Sequence, residues 1–226
     1  MKTIALIFAR GGSKGIKNKN IKPFGGIPLI AHSINLAKTI KEVSEIYVST
    51  DSAEIKSISL KYGAKVIDRP KELAKDDTPE LLAWKHSVNF LIDKGINFDC
   101  FLSLPATSPL RNSQDVISCI NAIEEGKEFV ITVTPSSRSP FFNMVTRNKE
   151  GFASIVNKGN YFRRQDTPET YDVTTVAYAT TPQKILKTEN LFSQEIFSII
   201  IPKDRSIDID DELDFFIAEK LMERNG

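Results

Sequence analysis

Short runs of β-branched and aromatic residues alternate along this chain with longer stretches in which apolar residues recur at spacings of three and four. The runs at 3–8, 45–49, 64–67, 98–104 and 129–134 each predict a strand. Between them, 30–38, 52–62, 79–91 and 115–125 predict helices. This alternation predicts an α/β fold built on a mostly parallel, doubly wound sheet with helices on both faces. Two helix starts are marked. Thr78-Pro79-Glu80 offers an N-cap, a proline at the first helical position and an acid in the first turn, and Thr181-Pro182 repeats the first two signals. Ser113 offers a cap to the helix after the fourth strand.

The rhythm breaks after Thr134. A polar stretch at 135–172 carries Ser136-Ser137-Arg138-Ser139-Pro140 and Lys158-Gly159-Asn160, yet it keeps Phe141, Phe142, Val145, Phe152, Ile155 and Val156. That is too apolar for a disordered linker, and it predicts an inserted hairpin or arm that packs against something, a second subunit being one option. Strand-like runs return at 173–179 and 196–201, and a helix is expected at 213–222. The expected organisation is one domain over 1–226 with an arm at about 135–172.

Composition narrows the partners. Thirty basic and 29 acidic residues nearly cancel, giving a formal charge of +1, so the basic footprint of a nucleic-acid or membrane-surface binder is missing. Any anionic ligand must be held by local clusters. Cys100 and Cys119 have no metal-ligand spacing and fall in strand and helix patterns, as expected of buried, unpaired thiols in a reducing cytosol. The apolar run at 1–9 is too short for a secretion signal and nothing reaches membrane-spanning length, so a soluble cytoplasmic protein is expected.

The strongest chemical signal follows the first strand. Arg10-Gly11-Gly12-Ser13-Lys14-Gly15-Ile16-Lys17-Asn18-Lys19-Asn20 puts three glycines among four cations. Glycines let backbone N–H groups approach phosphate oxygens, Arg10 can fork onto them, and lysines can neutralise a leaving pyrophosphate. The position also suits a ligand, because open α/β sheets bind at the carboxyl ends of their strands. The dinucleotide and Walker patterns are both absent. Thr107-Ser108-Pro109-Leu110-Arg111 follows another apolar strand; its hydroxyls can bond a sugar or nucleotide, while Arg111 can be purely structural. In Asp208-Ile209-Asp210-Asp211, period two sends Asp208 and Asp210 to one side, a pairing suited to a hard cation; Asp211 and Glu212 suit the start of the last helix. Asp51 either caps a helix or lies near the site. His32 and His86 belong to no motif.

These motifs together resemble the acylneuraminate cytidylyltransferases, a family that more distantly includes the CMP-KDO synthetases. The likeness runs through Ala9-Arg10-Gly11-Gly12-Ser13-Lys14 with Lys19-Asn20, Val48-Ser49-Thr50-Asp51, Arg69-Pro70 with Leu73-Ala74, Thr107-Ser108-Pro109-Leu110-Arg111, Arg164-Gln165 and Ser206-Ile207-Asp208-Ile209-Asp210. It covers almost the whole chain. What it implies is a Rossmann-like domain, an arm that makes a homodimer and reaches toward the partner's site, Mg²⁺ or another divalent cation, and CMP transfer from CTP to an acidic nine-carbon sugar. Arg10, Lys14, Asp208 and Asp210 would be catalytic, the two acids holding the metal. Arg10, Gly12, Ser13, Lys14, Lys19, Asn20 and Arg69 would bind nucleotide, although Arg69 also reads as a cap on the third strand. Arg164 would recognise the sugar's carboxylate, with Gln165, Thr107 and Ser108 nearby.

Two departures from the family pattern concern the sugar. Enzymes for N-acetylneuraminate place Gln before the Thr-Ser-Pro turn where this chain has Pro105, and carry Arg-x-Asn-Gly-Ala where it has Asp172-Val173-Thr174-Thr175-Val176. Losing amide and cationic groups favours a sugar with fewer hydroxyls, such as legionaminic acid, with Asp172 and Thr174 among its contacts. A KDO-like or 8-amino-KDO-like sugar, another nucleotide, or a non-catalytic relative are the alternatives.

Overall fold

The computed structural model describes residues 1–193 and 195–225. Among the described residues eleven strands form, in chain order: β1 (Thr3–Phe8), β2 (Pro23–Phe24), β3 (Ile27–Pro28), β4 (Val43–Thr50), β5 (Lys65–Asp68), β6 (Cys100–Ser103), β7 (Phe129–Pro135), β8 (Val145–Arg147), β9 (Ala153–Ile155), β10 (Tyr171–Thr180) and β11 (Phe197–Ile200). The α-helices are α1 (Leu29–Thr39), α2 (Ala53–Lys61), α3 (Glu80–Asp93), α4 (Ser113–Glu124), α5 (Pro182–Lys187) and α6 (Glu212–Asn225). Seven strands make the main sheet, ordered β11-β7-β10-β6-β1-β4-β5. Every pairing in it is parallel except those of β10, which runs antiparallel to both neighbours. The expected mostly parallel α/β sheet is therefore what forms.

Alternation along β1 sorts the core into two layers. Ala5 and Ile7 point to the face covered by Ile30 and Ile34 of α1, Ile55 of α2, and Val116 and Ile120 of α4. Ile4 and Leu6 point to the opposite face, onto Leu81, Trp84 and Val88 of α3 and Ile185 of α5. Trp84 has no exposed surface and lies against Phe101 and Tyr178 at ring separations of 5.2 and 5.5 Å. Each such buried side chain contributes about 1.5–3 kcal/mol. Cys100 and Cys119 are free and buried, and desolvation pushes both thiols up to about 12.

The caps refine the reading. Thr181 accepts from Lys184 N as expected. For α4 the cap is Asn112, not Ser113: Asn112 and Asp115 exchange side-chain-to-backbone bonds in a capping box. Thr78 does not cap α3, because its hydroxyl instead donates to Glu72 O at 3.1 Å.

Residues 136–170 leave the sheet between β7 and β10 and carry the small β8–β9 hairpin. Phe162, Phe152 and Val145 there are 91, 72 and 57 % exposed. Among the described residues, no helix is long and apolar enough to cross a membrane.

Candidate active site

Strand order reverses around β1, whose chain continuation goes to β4 on one side while β6 returns on the other. Open α/β sheets bind ligands at such a point, outside the carboxyl ends of the strands. Here the loop after β1 and the turn after β6 flank it. The site is assembled from these two segments, the stretch after β5, and the 203–211 segment.

The glycine-rich loop is fixed from beneath. Ile16 is buried in a small cluster with Phe24, Leu29, Ile209 and Phe215, so the loop and the start of α6 share a core. Gly11 N donates to Asp51 Oδ1 at 2.9 Å, and Asn20 Nδ2 donates to Arg10 O at 3.2 Å. Asp51 thus braces the loop, while the neighbouring Ser52 caps α2. Gly12, at φ +74°, takes a backbone conformation that other residues resist. Arg10 and Lys14 both engage the Asp76 carboxylate, an unpredicted partner from the stretch after β5. In that contact a carboxylate occupies a place that a phosphate oxygen can take.

The acid segment closes against this loop. Ile209 is fully buried and its N donates to Thr107 O at 2.8 Å. Lys19 Nζ donates to Ile209 O at 2.6 Å and to Asp210 Oδ1 at 3.0 Å. Alternation then sends Asp208 and Asp210 away from the buried Ile209. Burial pushes the Asp208 carboxyl above the usual carboxylate range, with the Thr107 and Thr175 hydroxyls pulling the other way. Asp208 Oδ1 is buried without a hydrogen-bond partner among the described residues. An orphaned carboxylate oxygen beside a second carboxylate fits a hard cation. No group of three or more His, Cys, Asp or Glu side chains suited to a metal occurs among the described residues, and an ion on these two carboxylates would have to complete its shell with water and phosphate oxygens.

A cleft of about 330 Å³ brings together Arg10, Ser13, Lys14, Lys19, Asn20, Thr107 and Asp210. An adjoining space of about 230 Å³ shares Phe8 and Arg10 with it and extends to Arg69, Asp76, Thr78 and Glu80. Arg69 is buried; its Nε and Nη2 donate to Ser49 Oγ and Ser49 O at 3.1 and 2.6 Å, and desolvation pulls its guanidinium down to about 10. It braces the end of β4 and lines the adjoining space at once. Glu80 is open to solvent yet walled by protein, and desolvation raises its carboxyl while Trp84 and Arg69 oppose the shift. Its Oε1 accepts from Trp84 Nε1 at 3.1 Å.

The remaining candidates separate. Ser108 is fully buried, sharing a 2.6 Å hydrogen bond with the Thr175 hydroxyl. Thr174 is buried too, donating to Thr132 Oγ1 at 2.7 Å. Both hydroxyls are engaged inside the fold, and Thr107 is the turn's hydroxyl residue that lines the cleft. Arg111 is buried and holds the same turn through Ser108 O and Pro105 O. Asp172 lies exposed on the outer half of β10, opposite Thr134. Arg164 and Gln165 line a separate hollow of about 540 Å³ at the root of the arm, where Arg164 Nη2 donates to Ser136 O at 3.0 Å. Within one chain they do not share a cavity with Asp210 and Lys14.

Comparison with known proteins agrees with this fold. The family model described as Cytidylyltransferase matches residues 4–223. A Campylobacter jejuni protein named CMP-N,N'-diacetyllegionaminic acid synthase is 35 % identical, the match covering 97 % of this chain and 94 % of that one. The post-translational flagellin modification protein B of Campylobacter coli is 34 % identical over 99 % of this chain and 96 % of its own. Among solved structures, a CMP:2-keto-3-deoxy-manno-octonic acid synthetase complexed with CTP superposes with a TM-score of 0.74 over all of both chains at 16 % identity, a likeness of fold.

Proposed function

The chain belongs to the cytidylyltransferase family, and we propose that it transfers CMP from CTP to the anomeric hydroxyl of an acidic nonulosonic sugar, releasing pyrophosphate. The observation that carries the reading is the single cleft in which the cations of the glycine-rich loop meet the acid segment, joined through Lys19 and Asp210. In the reaction the sugar's 2-hydroxyl attacks the α-phosphorus in line, the bond to the β,γ-pyrophosphate breaks, and the hydroxyl proton goes to water or a cleft carboxylate. Arg10 and Lys14 offset the charge that builds on the leaving group. Triphosphate would take the place of Asp76 on these two side chains. Asp208 and Asp210 would hold Mg²⁺ or another divalent ion, which when bound supplies further electrostatic stabilisation of the phosphate oxygens.

Nucleotide choice tests the activity. Pyrophosphate release should require CTP and fall by about 10- to 100-fold with UTP. Cytosine presents a 4-amino donor where uracil has an acceptor, and a mismatched buried polar group costs about 1–3 kcal/mol. Equal turnover of the two nucleotides would refute the assignment.

The preferred sugar in this reading is legionaminic acid rather than N-acetylneuraminic acid. The relative named for the N,N'-diacetyl form of that sugar supports it, as does the turn beginning Pro105-Ala106-Thr107 in place of an amide-bearing one. At saturating CTP, kcat/KM should favour legionaminic acid by about tenfold or more, one unpaired polar group being worth about 1–3 kcal/mol. A ratio favouring N-acetylneuraminic acid would remove the sugar assignment and leave CMP transfer standing.

The working unit is a cytoplasmic homodimer made through the arm. Support comes from the apolar side chains the arm exposes, Phe152 and Phe162 foremost. Docking on a partner would also carry Arg164 and Gln165 toward the partner's sugar. Light scattering at micromolar concentration should give twice the chain mass, and a fully active monomer would overturn the arrangement.

A further inference from the structure

Two hydrogen-bonded ties flank Asp208, in a segment whose Ile207 and Ile209 also pack into the small core. The downstream one is the buried Ile209, tied through its N to Thr107 O. The upstream one is Arg205, three residues before Asp208. Its Nε donates to Asp115 Oδ2 at 3.0 Å and its Nη2 to Asp115 Oδ1 at 2.9 Å, a two-pronged pair. Asp115 is only 5 % exposed, and its Oδ2 also accepts from Asn112 N at 3.0 Å to close the cap of α4. Helix α4 begins directly after the turn held by Arg111 through Ser108 O, at 2.8 Å from Arg111 Nε. One carboxylate therefore joins the helix start, and through it the Thr107 turn, to the segment that carries both acids.

We infer that Arg205, forked onto Asp115, is a positioning residue that sets where Asp208 and Asp210 present their carboxylates to a divalent cation. The inference rests on the reading of those acids as the metal pair. A fork fixes both distance and orientation, whereas a lysine ammonium at the same place is a point charge that leaves the segment free to rotate. Severing the fork leaves the segment held by the packing of Ile207 and Ile209 against the small core and by the Thr107 and Thr175 hydroxyls beside the Asp208 carboxyl, and removes the tie that fixes its orientation to α4. The carboxylates would then sample more positions, and the cost falls on metal binding rather than on nucleotide recognition. Partners that orient metal ligands are worth about 10- to 100-fold in metal affinity.

The test compares R205K, R205M, D115N and D208N with the unaltered full chain. Mn²⁺ binding to the CTP-loaded protein without acceptor sugar is read by electron paramagnetic resonance. The Mg²⁺ concentration for half-maximal pyrophosphate release, the metal-free dissociation constant for CTP, and the thermal midpoint are measured alongside. R205M and D115N should weaken Mn²⁺ binding and raise the Mg²⁺ requirement together by about 10-fold or more, with CTP affinity within about twofold of the unaltered protein. R205K should fall between, because it restores charge without the fork. Unchanged Mn²⁺ affinity in R205M and D115N, with D208N weakened, overturns the positioning role alone. Unchanged affinity in D208N overturns the metal reading and this inference with it. Failure of all three Arg205 and Asp115 variants to fold assigns the pair to stability and also overturns it.

Discussion

Asp208→Asn is expected to lower the rate of CMP transfer by about two to three orders of magnitude while leaving the protein folded. Losing one preorganised electrostatic contact to a transition state typically costs about 10²–10³ in kcat. Asparagine keeps the size and the hydrogen-bonding reach toward Thr107 and Thr175 but removes the charge that the proposed role of Oδ1 as a cation ligand requires. Folding should not suffer. Burial already disfavours the charged form at this position, as the upward shift of the Asp208 carboxyl indicates, so neutralising it removes a desolvation cost. Asp210→Asn should show a smaller version of the same loss, because Asp210 is exposed and its charge also holds Lys19. The measurement is single-turnover transfer at saturating CTP and Mg²⁺, with the thermal midpoint as control. Near-wild-type rates in a folded Asp208→Asn protein would refute the role.

The positions of the strands and helices were legible because burial on a two-sided sheet leaves near-continuous apolar runs, as in Phe101-Leu102 of β6 and Val130-Ile131 of β7. The direction of β10 was not. An apolar run signals burial, and nothing in Val173 to Ala179 encodes that it lies antiparallel to β6 and β7. The irregular register between Thr174 and Tyr178 explains a second gap: it breaks simple alternation, so the inward turn of Thr174 and the Ser108–Thr175 contact could not be read from spacing. The Asn112 cap was readable, as Asn112 and Asp115 stand at capping-box spacing. The glycine-rich loop and acid segment were visible because each concentrates its chemistry in a short run. Asp76, Glu80 and the Asp115–Arg205 pair carry no such local mark. Asp115 and Arg205 lie 90 residues apart, and the fold alone brings them together.

The same dependence on close packing makes Gly15→Ala a severe substitution, although Gly15 is not among the glycines with positive φ. A Cβ there would stand 2.1 Å from Asp210 O and 3.2 Å from Asp210 C. Backbone cannot yield as a flexible side chain would, and neither side of the contact is free. The loop is held by Ile16 in the small core, by Asp51 on Gly11 N and by Asn20 on Arg10 O. The acid segment is held by the buried Ile209, by Thr107 O and by Lys19. Relief of the overlap must move Lys14 away from Asp210 by on the order of 1 Å, and a misplacement of that size can cost about 10²-fold in rate. We therefore expect kcat/KM to fall by about 100-fold or more, with a stability loss of about 1–3 kcal/mol from overpacking. Gly95→Ala separates the two effects. Gly95 has φ +72° and nothing within 4 Å of its added Cβ, so it should lose about 1–3 kcal/mol of stability through backbone strain and keep its rate. Equal activity in the Gly15→Ala and Gly95→Ala proteins would show that the glycine-rich loop and the acid segment do not need this contact to work together.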